Sequence, residues 1–335
     1  VKAILHIGTE KTGTTTIQNG LRLNKEKLYK KGYFVPESLS GKLGICNHVK
    51  LACYAMNDRK MNNLRKLEGI NQPKQLANYR QKVLDHFQEE LDGTNASTVV
   101  MSNEHCSSRL IQEKEIRRLK EFLDRFFEEV KIIVYFRRQE ELLISGYSTG
   151  ISTGSEQKLM SPEQYSQEVN RYDYYQMLEK WSTVFGKENI DVNVYEGNDV
   201  FADFMSNFSI KRVKKPKKKY NTSLNLPKLE FLRRMNKYVP RITGNTINPR
   251  WHAIVRALEE IEYPGPSVKE LLTEDYVGIY DESNRKVAEE YLGRNDGRLF
   301  EELNNVNTRN KQDFELSDEE FLNMLTQIYW KMDRN

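Results

Sequence analysis

The stretch "AILHIGTEKTGTTTIQNGL", residues 3–21, decides the fold. It belongs to an apolar, β-prone run that begins at Val1 and stops at Gly8. A helix is predicted from about Thr14 to Lys31, with Ile17, Leu21 and Leu28 on one side. Between the two, "GTEKTGTT" carries Gly8 and Gly13 at the spacing of a phosphate-cradling loop. Strand, glycine-rich turn and helix, in that order, are the context such a loop needs. The main-chain N–H groups of the turn and of the helix start then make an anion site, whatever the anion.

In a loop that binds a nucleoside triphosphate, a lysine follows the second glycine and reaches the β/γ oxygens. The hydroxyl after it holds Mg²⁺. Here Thr14 stands in the lysine's place, and the only lysine of the loop, Lys11, comes early. The hydroxyls of Thr14, Thr15 and Thr16 can still bind a phosphate together with the backbone, while Lys11 is expected to point across a reacting bond. The competing interpretation is a plain turn with a good helix start, since two glycines at this spacing are common. The strand before, the helix after and the Lys-x-Gly-Thr-Thr cluster weigh against it.

Three more apolar runs follow: "STVVMS" (97–102), "VKIIVYF" (130–136) and "IDVNVYE" (190–196). Amphipathic segments separate them. In "PKQLANYRQKVLDHFQEELDG" (73–93), Leu76, Tyr79, Val83, Phe87 and Leu91 fall at three- and four-residue steps. "IQEKEIRRLKEFLDRFFEEV" and "YDYYQMLEKWSTVFG" behave likewise. Strands alternating with helices of this length predict an α/β fold, a parallel central sheet covered by helices on both faces. After Ile210 the character changes. "KRVKKPKKK" (211–219) is expected to be a basic loop, and the segments beyond it all read as helices. The expected organisation is one domain over 1–335, with an α/β core at 1–210 and a basic loop plus helix-rich C-terminal subdomain at 211–335.

With 38% hydrophobic and 30% charged residues, the chain belongs to the globular class and is long enough for a sizeable core. A net charge of +4 is weak for 335 residues, so anion binding must come from local clustering. No stretch approaches the ~20 apolar residues of a membrane span. Cys46, Cys53 and Cys106 are odd in number and form no CxxC pair, which fits a reducing compartment with neither a disulfide framework nor a zinc site. The expected location is the cytoplasm, with room for attachment at the inner face of a membrane. No signal-peptide pattern opens the chain, but it starts at Val1 and not Met, which leaves room for a trimmed N-terminal segment.

A second stretch, "VYFRRQEELLISGYS" (134–148), ends a strand in Arg137 and Arg138 and continues as a helix. Arg137 and Ser145 are eight residues apart, and a strand-end arginine and a hydroxyl two turns into the next helix can converge on one anion.

Together the two stretches resemble the family of PAPS-dependent sulfotransferases, which use 3′-phosphoadenosine-5′-phosphosulfate (PAPS) as donor and release PAP. The resemblance implies a P-loop-like sulfotransferase fold. It implies that a K-[ST]-G-T-T loop binds the 5′-phosphosulfate, here Lys11, Thr12, Gly13, Thr14 and Thr15. It gives the 3′-phosphate to Arg137 and Ser145. Thr9, Glu10 and Thr16 complete the expected donor loop. A late loop that covers the nucleotide in such enzymes falls by position on the basic run and "YNTSLN" (220–225), implicating Asn221, Ser223 and Lys219. The wording "RRQEELLISGYS" looks most like bacterial, carbohydrate-type members, so the expected acceptor is a glycan hydroxyl. No metal is expected, because the donor has no γ-phosphate.

In this chemistry Lys11 serves the leaving oxygen, and the acceptor hydroxyl needs a base within hydrogen-bond reach. Glu104 and His105, in "VVMSNEHCS", emerge at the carboxyl edge of the sheet beside the loop. His48, in "GICNHVKLA", stands where carbohydrate sulfotransferases often carry a catalytic Glu or His. Glu104 and His48 rank level as base, with His105 behind. His6 reads as core, His86 as helix surface and His252 as remote. Three alternatives remain: a small-molecule alcohol or amine as acceptor, a P-loop kinase or NTPase, and an interaction protein binding nucleic acid through 211–219. For the last, seven Lys/Arg in nine residues come with no nucleic-acid fold signature, so no nucleic-acid partner is expected.

Overall fold

In the computed structural model every residue is described except 45, 197–198, 209, 211, 217–223, 244–245, 302–313 and 334–335. The N-terminal apolar run forms β1 (Lys2–His6), and the later runs form β3 (Thr98–Ser102), β4 (Glu129–Phe136) and β5 (Ile190–Val194). A two-residue edge strand, β2 (Tyr33–Phe34), completes a five-stranded sheet in the order β2-β3-β1-β4-β5. Every pairing in it is parallel. The expected α/β fold is the observed one.

The helices that follow the first strand are α1 (Thr14–Tyr29), α2 (Val49–Ala55), α3 (Asn63–Leu67), α4 (Leu76–Asp92), α5 (His105–Arg109) and α6 (Glu113–Leu123). Next come α7 (Gln139–Ser152), α8 (Pro162–Gln167), α9 (Val169–Tyr172), α10 (Tyr174–Phe185) and α11 (Val200–Ser206). The C-terminal part holds α12 (Leu226–Asn236), α13 (Pro249–Glu260), α14 (Asp281–Leu292) and α15 (Asp318–Asp333). It also holds a small antiparallel pair, β6 (Ile242–Thr243) and β7 (Thr246–Ile247), where helices alone were expected. Among the described residues no helix is long and apolar enough to cross a membrane.

The chain divides into two compact units that do not follow a cut at residue 210. The first comprises Val1–Arg138, Glu168–Lys218 and Asp281–Phe300; the second comprises Gln139–Gln167, Lys219–Tyr280 and Glu301–Asn335. The difference is physical. Which unit a helix joins depends on where its apolar face finds a partner, and not on its order in the chain.

The first unit is the sheet and its covering helices. Val100, Ile133 and Tyr135 share a core with Ile17, Leu21 and Leu28 of α1 and with Phe201 and Phe204 of α11. The alternate strand positions, Leu5, Val99, Met101, Ile132 and Val134, are equally buried, so the other face is covered too. On that face Phe136 stacks on Tyr174 of α10, ring centroids 4.1 Å apart. The described part of the basic run is tied along α1. Asn24 exchanges two hydrogen bonds with the Lys214 main chain at 2.8 and 2.9 Å, and Lys27 donates to the Arg212 carbonyl at 2.6 Å. The second unit has its own core, including Ile144 and Ile151 of α7, Leu229 and Leu232 of α12, Leu258 of α13, and Met324 and Ile328 of α15. Within it Asn236 accepts from the Trp251 indole at 2.8 Å and donates to the Ile151 carbonyl at 2.9 Å.

The approach of α1 to α11 depends on Gly20, where a Cβ would stand 2.0 Å from the Phe201 ring. Gly20→Val is expected to lower unfolding free energy by roughly 2 kcal/mol or more through overpacking. Urea titration measures it, and an unchanged midpoint would show that the contact yields freely.

Candidate active site

Strands β1, β3 and β4 are in register, with His6 level with Ser102 on one side and Ile133 on the other. The chain therefore leaves the sheet at neighbouring points, through Gly8–Gly13, Asn103–Glu104 and Arg137–Arg138. In the order β2-β3-β1-β4-β5 the connections change side at β1. Open α/β sheets bind ligands outside the strands' carboxyl ends at such a switch point.

The loop after β1 is shaped by main chain first. The Tyr135 N–H donates to the Gly8 carbonyl at 2.7 Å, and the Thr9 N–H donates to the Tyr135 carbonyl at 2.9 Å. Gly8 is required there: its φ is +106, and a Cβ would lie 3.0 Å from the Glu104 Cα. Lys11 and Gly13 both adopt left-handed backbone, φ 65 and 78. For a lysine this costs roughly 1–2 kcal/mol, and Arg137 braces it by donating from Nη1 to the Lys11 carbonyl at 3.3 Å. Gly13 is the N-cap of α1; no side chain caps the helix and its first turn has no acidic residue. An uncapped helix start is a ready anion site.

Cations gather at this loop. Burial pushes the Lys11 ammonium below the ordinary lysine range, repulsion from Arg137 and Arg171 adds to the shift, and Glu10 opposes it. Arg137 also lies over the Tyr195 ring, 5.8 Å from its centroid, and Arg138 turns to the Phe300 ring at 5.3 Å. Positive groups that repel one another at a helix N-terminus favour an anion between them.

Two carboxylates flank the loop in different company. The Glu10 carboxylate accepts from the Ser108 hydroxyl at 2.9 Å and lies 3.3 Å from His105 Nδ1, 3.7 Å from Arg109 and 3.4 Å from Arg171. Burial alone would push its pKa up. The His105 imidazole, Arg171, Arg109 and Ser108 outweigh that and hold it at about 2. Glu104 is held instead by uncharged amides. Gln18 Nε2 donates to Oε2 at 2.7 Å and Asn47 Nδ2 donates to Oε1 at 3.4 Å, while His105 Nε2 stands 4.0 Å away.

No protein-family model matches the chain, and no curated protein matches it. Among solved structures it is similar to a sulfotransferase from Alicyclobacillus acidocaldarius, at 15% identity over 64% of this chain and 83% of that one, with a TM-score of 0.39.

Several expected site residues take other parts. Thr9 is committed to the sheet, since its hydroxyl also donates to the Tyr135 carbonyl, at 3.1 Å. The buried Thr12 hydroxyl closes the loop on itself by donating to the Thr9 carbonyl at 2.6 Å. Glu10, expected at the donor, has its carboxylate in the ion cluster with His105, Arg109 and Arg171. His48 is fully buried with both ring nitrogens engaged by main chain: Nδ1 accepts from the Ser102 N–H at 2.9 Å and Nε2 donates to the Pro36 carbonyl at 3.0 Å. Burial keeps it neutral, its pKa lowered to about 4. It staples the segment before α2 to β3 and offers nothing to an acceptor. His105 sits between Glu10 and Glu104 as a partner of the first.

Thr14 is buried at the helix start, and Thr15 and Thr16 are exposed beside it. Ser145 lies in the second turn of α7, half-buried, in the second unit. Asn221, Ser223 and Lys219 lie outside the described residues. Of the other histidines, His6 is fully buried in β1, and His86 and His252 are exposed on helices. Among the described residues no group of three or more His, Cys, Asp or Glu side chains is arranged to hold a metal ion.

Sequence reasoning missed Gln18, Asn47 and Arg171. The signal for Gln18 was a polar residue next to Ile17 on a helix face that buries; Arg171, 161 positions from Glu10, gave none.

The Glu10 cluster predicts a pH dependence. A carboxyl whose pKa falls on folding stabilises the protein above its unfolded value of 4.5, and that contribution is lost as pH falls toward about 2. Between those limits wild-type protein should lose stability, by an amount on the order of 3 kcal/mol, that Glu10→Gln does not lose. Urea titrations at stepped pH compare the two. Parallel curves would mean that the cluster does not stabilise the fold.

Proposed function

We propose that the protein is a PAPS-dependent sulfotransferase that moves a sulfuryl group to an acceptor hydroxyl, on a carbohydrate. The observation that supports this most is the loop itself. An uncapped helix start lies behind a left-handed Lys11, with Arg137 donating to the Lys11 carbonyl and no lysine at position 14. Such a loop suits a donor that ends one phosphate-like group short of a triphosphate.

In this proposal the main chain of Gly13, Thr14 and Thr15 and the hydroxyls of the helix start hold the 5′-phosphate. Arg137 takes the 3′-phosphate; Ser145 is assigned there by the motif alone. The acceptor oxygen attacks sulfur, the bond from sulfur to the bridging phosphate oxygen breaks, and PAP departs. The proton of the acceptor hydroxyl passes to the Glu104 carboxylate. Negative charge grows on the bridging oxygen, and a cation aimed there stabilises the transition state more than the ground state. That is the part of Lys11. The glycan acceptor rests on the resemblance of "RRQEELLISGYS" to carbohydrate-type enzymes. Three free, buried cysteines support a cytoplasmic setting.

Isothermal titration with PAP and with ATP–Mg²⁺ tests the proposal. PAP is expected to bind, and Arg137→Ala to weaken it by roughly 10- to 100-fold, the value of a charge-assisted hydrogen bond. Lys11→Ala should lower turnover by about 10²- to 10³-fold, and Glu104→Gln should lose turnover while keeping PAP binding. Tight ATP–Mg²⁺ binding without PAP binding would instead identify a kinase or NTPase.

A further inference from the structure

We propose that Gln18 and Asn47 are positioning residues that aim the Glu104 carboxylate, leaving its Oε1 to take the acceptor proton. This rests on the sulfuryl-transfer function with Glu104 as base. Gln18 is 7% exposed and its amide bonds Oε2 at 2.7 Å, fixing one oxygen firmly. Asn47 approaches Oε1 at 3.4 Å, a long and weak contact that leaves that oxygen the freer acceptor. The orientation of the Asn47 amide is set from behind. Asn103 Nδ2 donates to Asn47 Oδ1 at 2.7 Å, so Nδ2 is the end turned to Glu104. Asn103 in turn is fully buried and donates its N–H to the His6 carbonyl at 2.8 Å, at the end of β1.

The arrangement links the two halves of the reaction. Gln18 is four residues after Thr14 on α1, so the helix whose start holds the donor also carries the group that aims the base. Asn103 and Glu104 belong to the neighbouring chain exit after β3, and Asn47 to the segment that leads into α2. Donor site and base are therefore fixed against one frame, and a misplacement of about an ångström at such a group is enough to slow turnover strongly. Both donors are uncharged. They orient the carboxylate without pairing it to a cation, as the arginines pair Glu10.

The test is a mutant cycle on PAP-binding protein. Gln18→Met keeps the volume and removes the donor; Asn47→Ala removes the second one. Gln18→Met is expected to lower kcat by about 10- to 100-fold and Asn47→Ala, which removes the weaker contact, by about 3- to 10-fold, with donor KM and PAP affinity within about twofold of wild type. In a Glu104→Gln background the same substitutions should cost no further turnover, because the group they aim is gone. Unchanged kcat would overturn the proposal. So would an equal fold-loss in both backgrounds, the mark of a purely structural role. Should Gln18→Met not fold, Asn47→Ala decides by the same criteria. The two levels fail separately. Glu104→Gln with near-normal turnover removes the base assignment and the positioning with it, whereas wild-type protein that binds no PAP removes the function itself.

Discussion

The main-chain pairing of Gly8 and Thr9 with Tyr135 is the constraint on which the site depends. It carries the β1–β4 ladder past the last residue of β1 and holds the loop against β4, which ends at Phe136, directly before Arg137. From there the loop turns through left-handed Lys11 and Gly13 into α1 without a side-chain cap. Were Thr9 unpaired, the loop would still be glycine-rich, but its main-chain N–H groups would have no fixed aim. Preorganised donors are worth more than mobile ones because they need not reorganise as charge develops.

The two carboxylates beside the loop show how environment assigns different roles to one chemical group. Glu10 is surrounded by His105, Arg109 and Arg171, and its charge is tied into the fold. Glu104 is met by two neutral amides, which aim it and leave one oxygen lightly bonded. In the proposed function the first remains a structural anion and the second takes the acceptor proton.

The sheet was legible because three of its later strands are β-prone runs separated by amphipathic helices, those of β3 and β4 largely buried. β2, with two residues, is too short to carry any period, and the same holds for β6 and β7. The division into units was not legible, since α7 and α14 join partners far from them in sequence. At the candidate site, the placing of Gly8, Gly13 and Lys11 in the loop after β1, and of Glu104 and Arg137 beyond the ends of β3 and β4, was legible from spacing and strand ends. His48 drew attention as a titratable group, while the amides of Asn47 and Gln18 carry no chemistry until they are seen against a carboxylate. Thr9, Thr12 and Glu10 were grouped with the donor because the motif contains them. Their side chains bond the protein itself, so in this chain these motif positions hold the loop's shape.

In the proposed function, a cation-lined loop without a γ-phosphate partner serves a sulfuryl donor. Incubating the full chain with ³⁵S-labelled PAPS and a panel of glycans and small hydroxyl compounds tests it most directly. Label transferred to a hydroxyl acceptor, strongly diminished in Lys11→Ala, is the result predicted. Label that stays on the donor with every acceptor, in protein that hydrolyses ATP or phosphorylates the same panel, would contradict it.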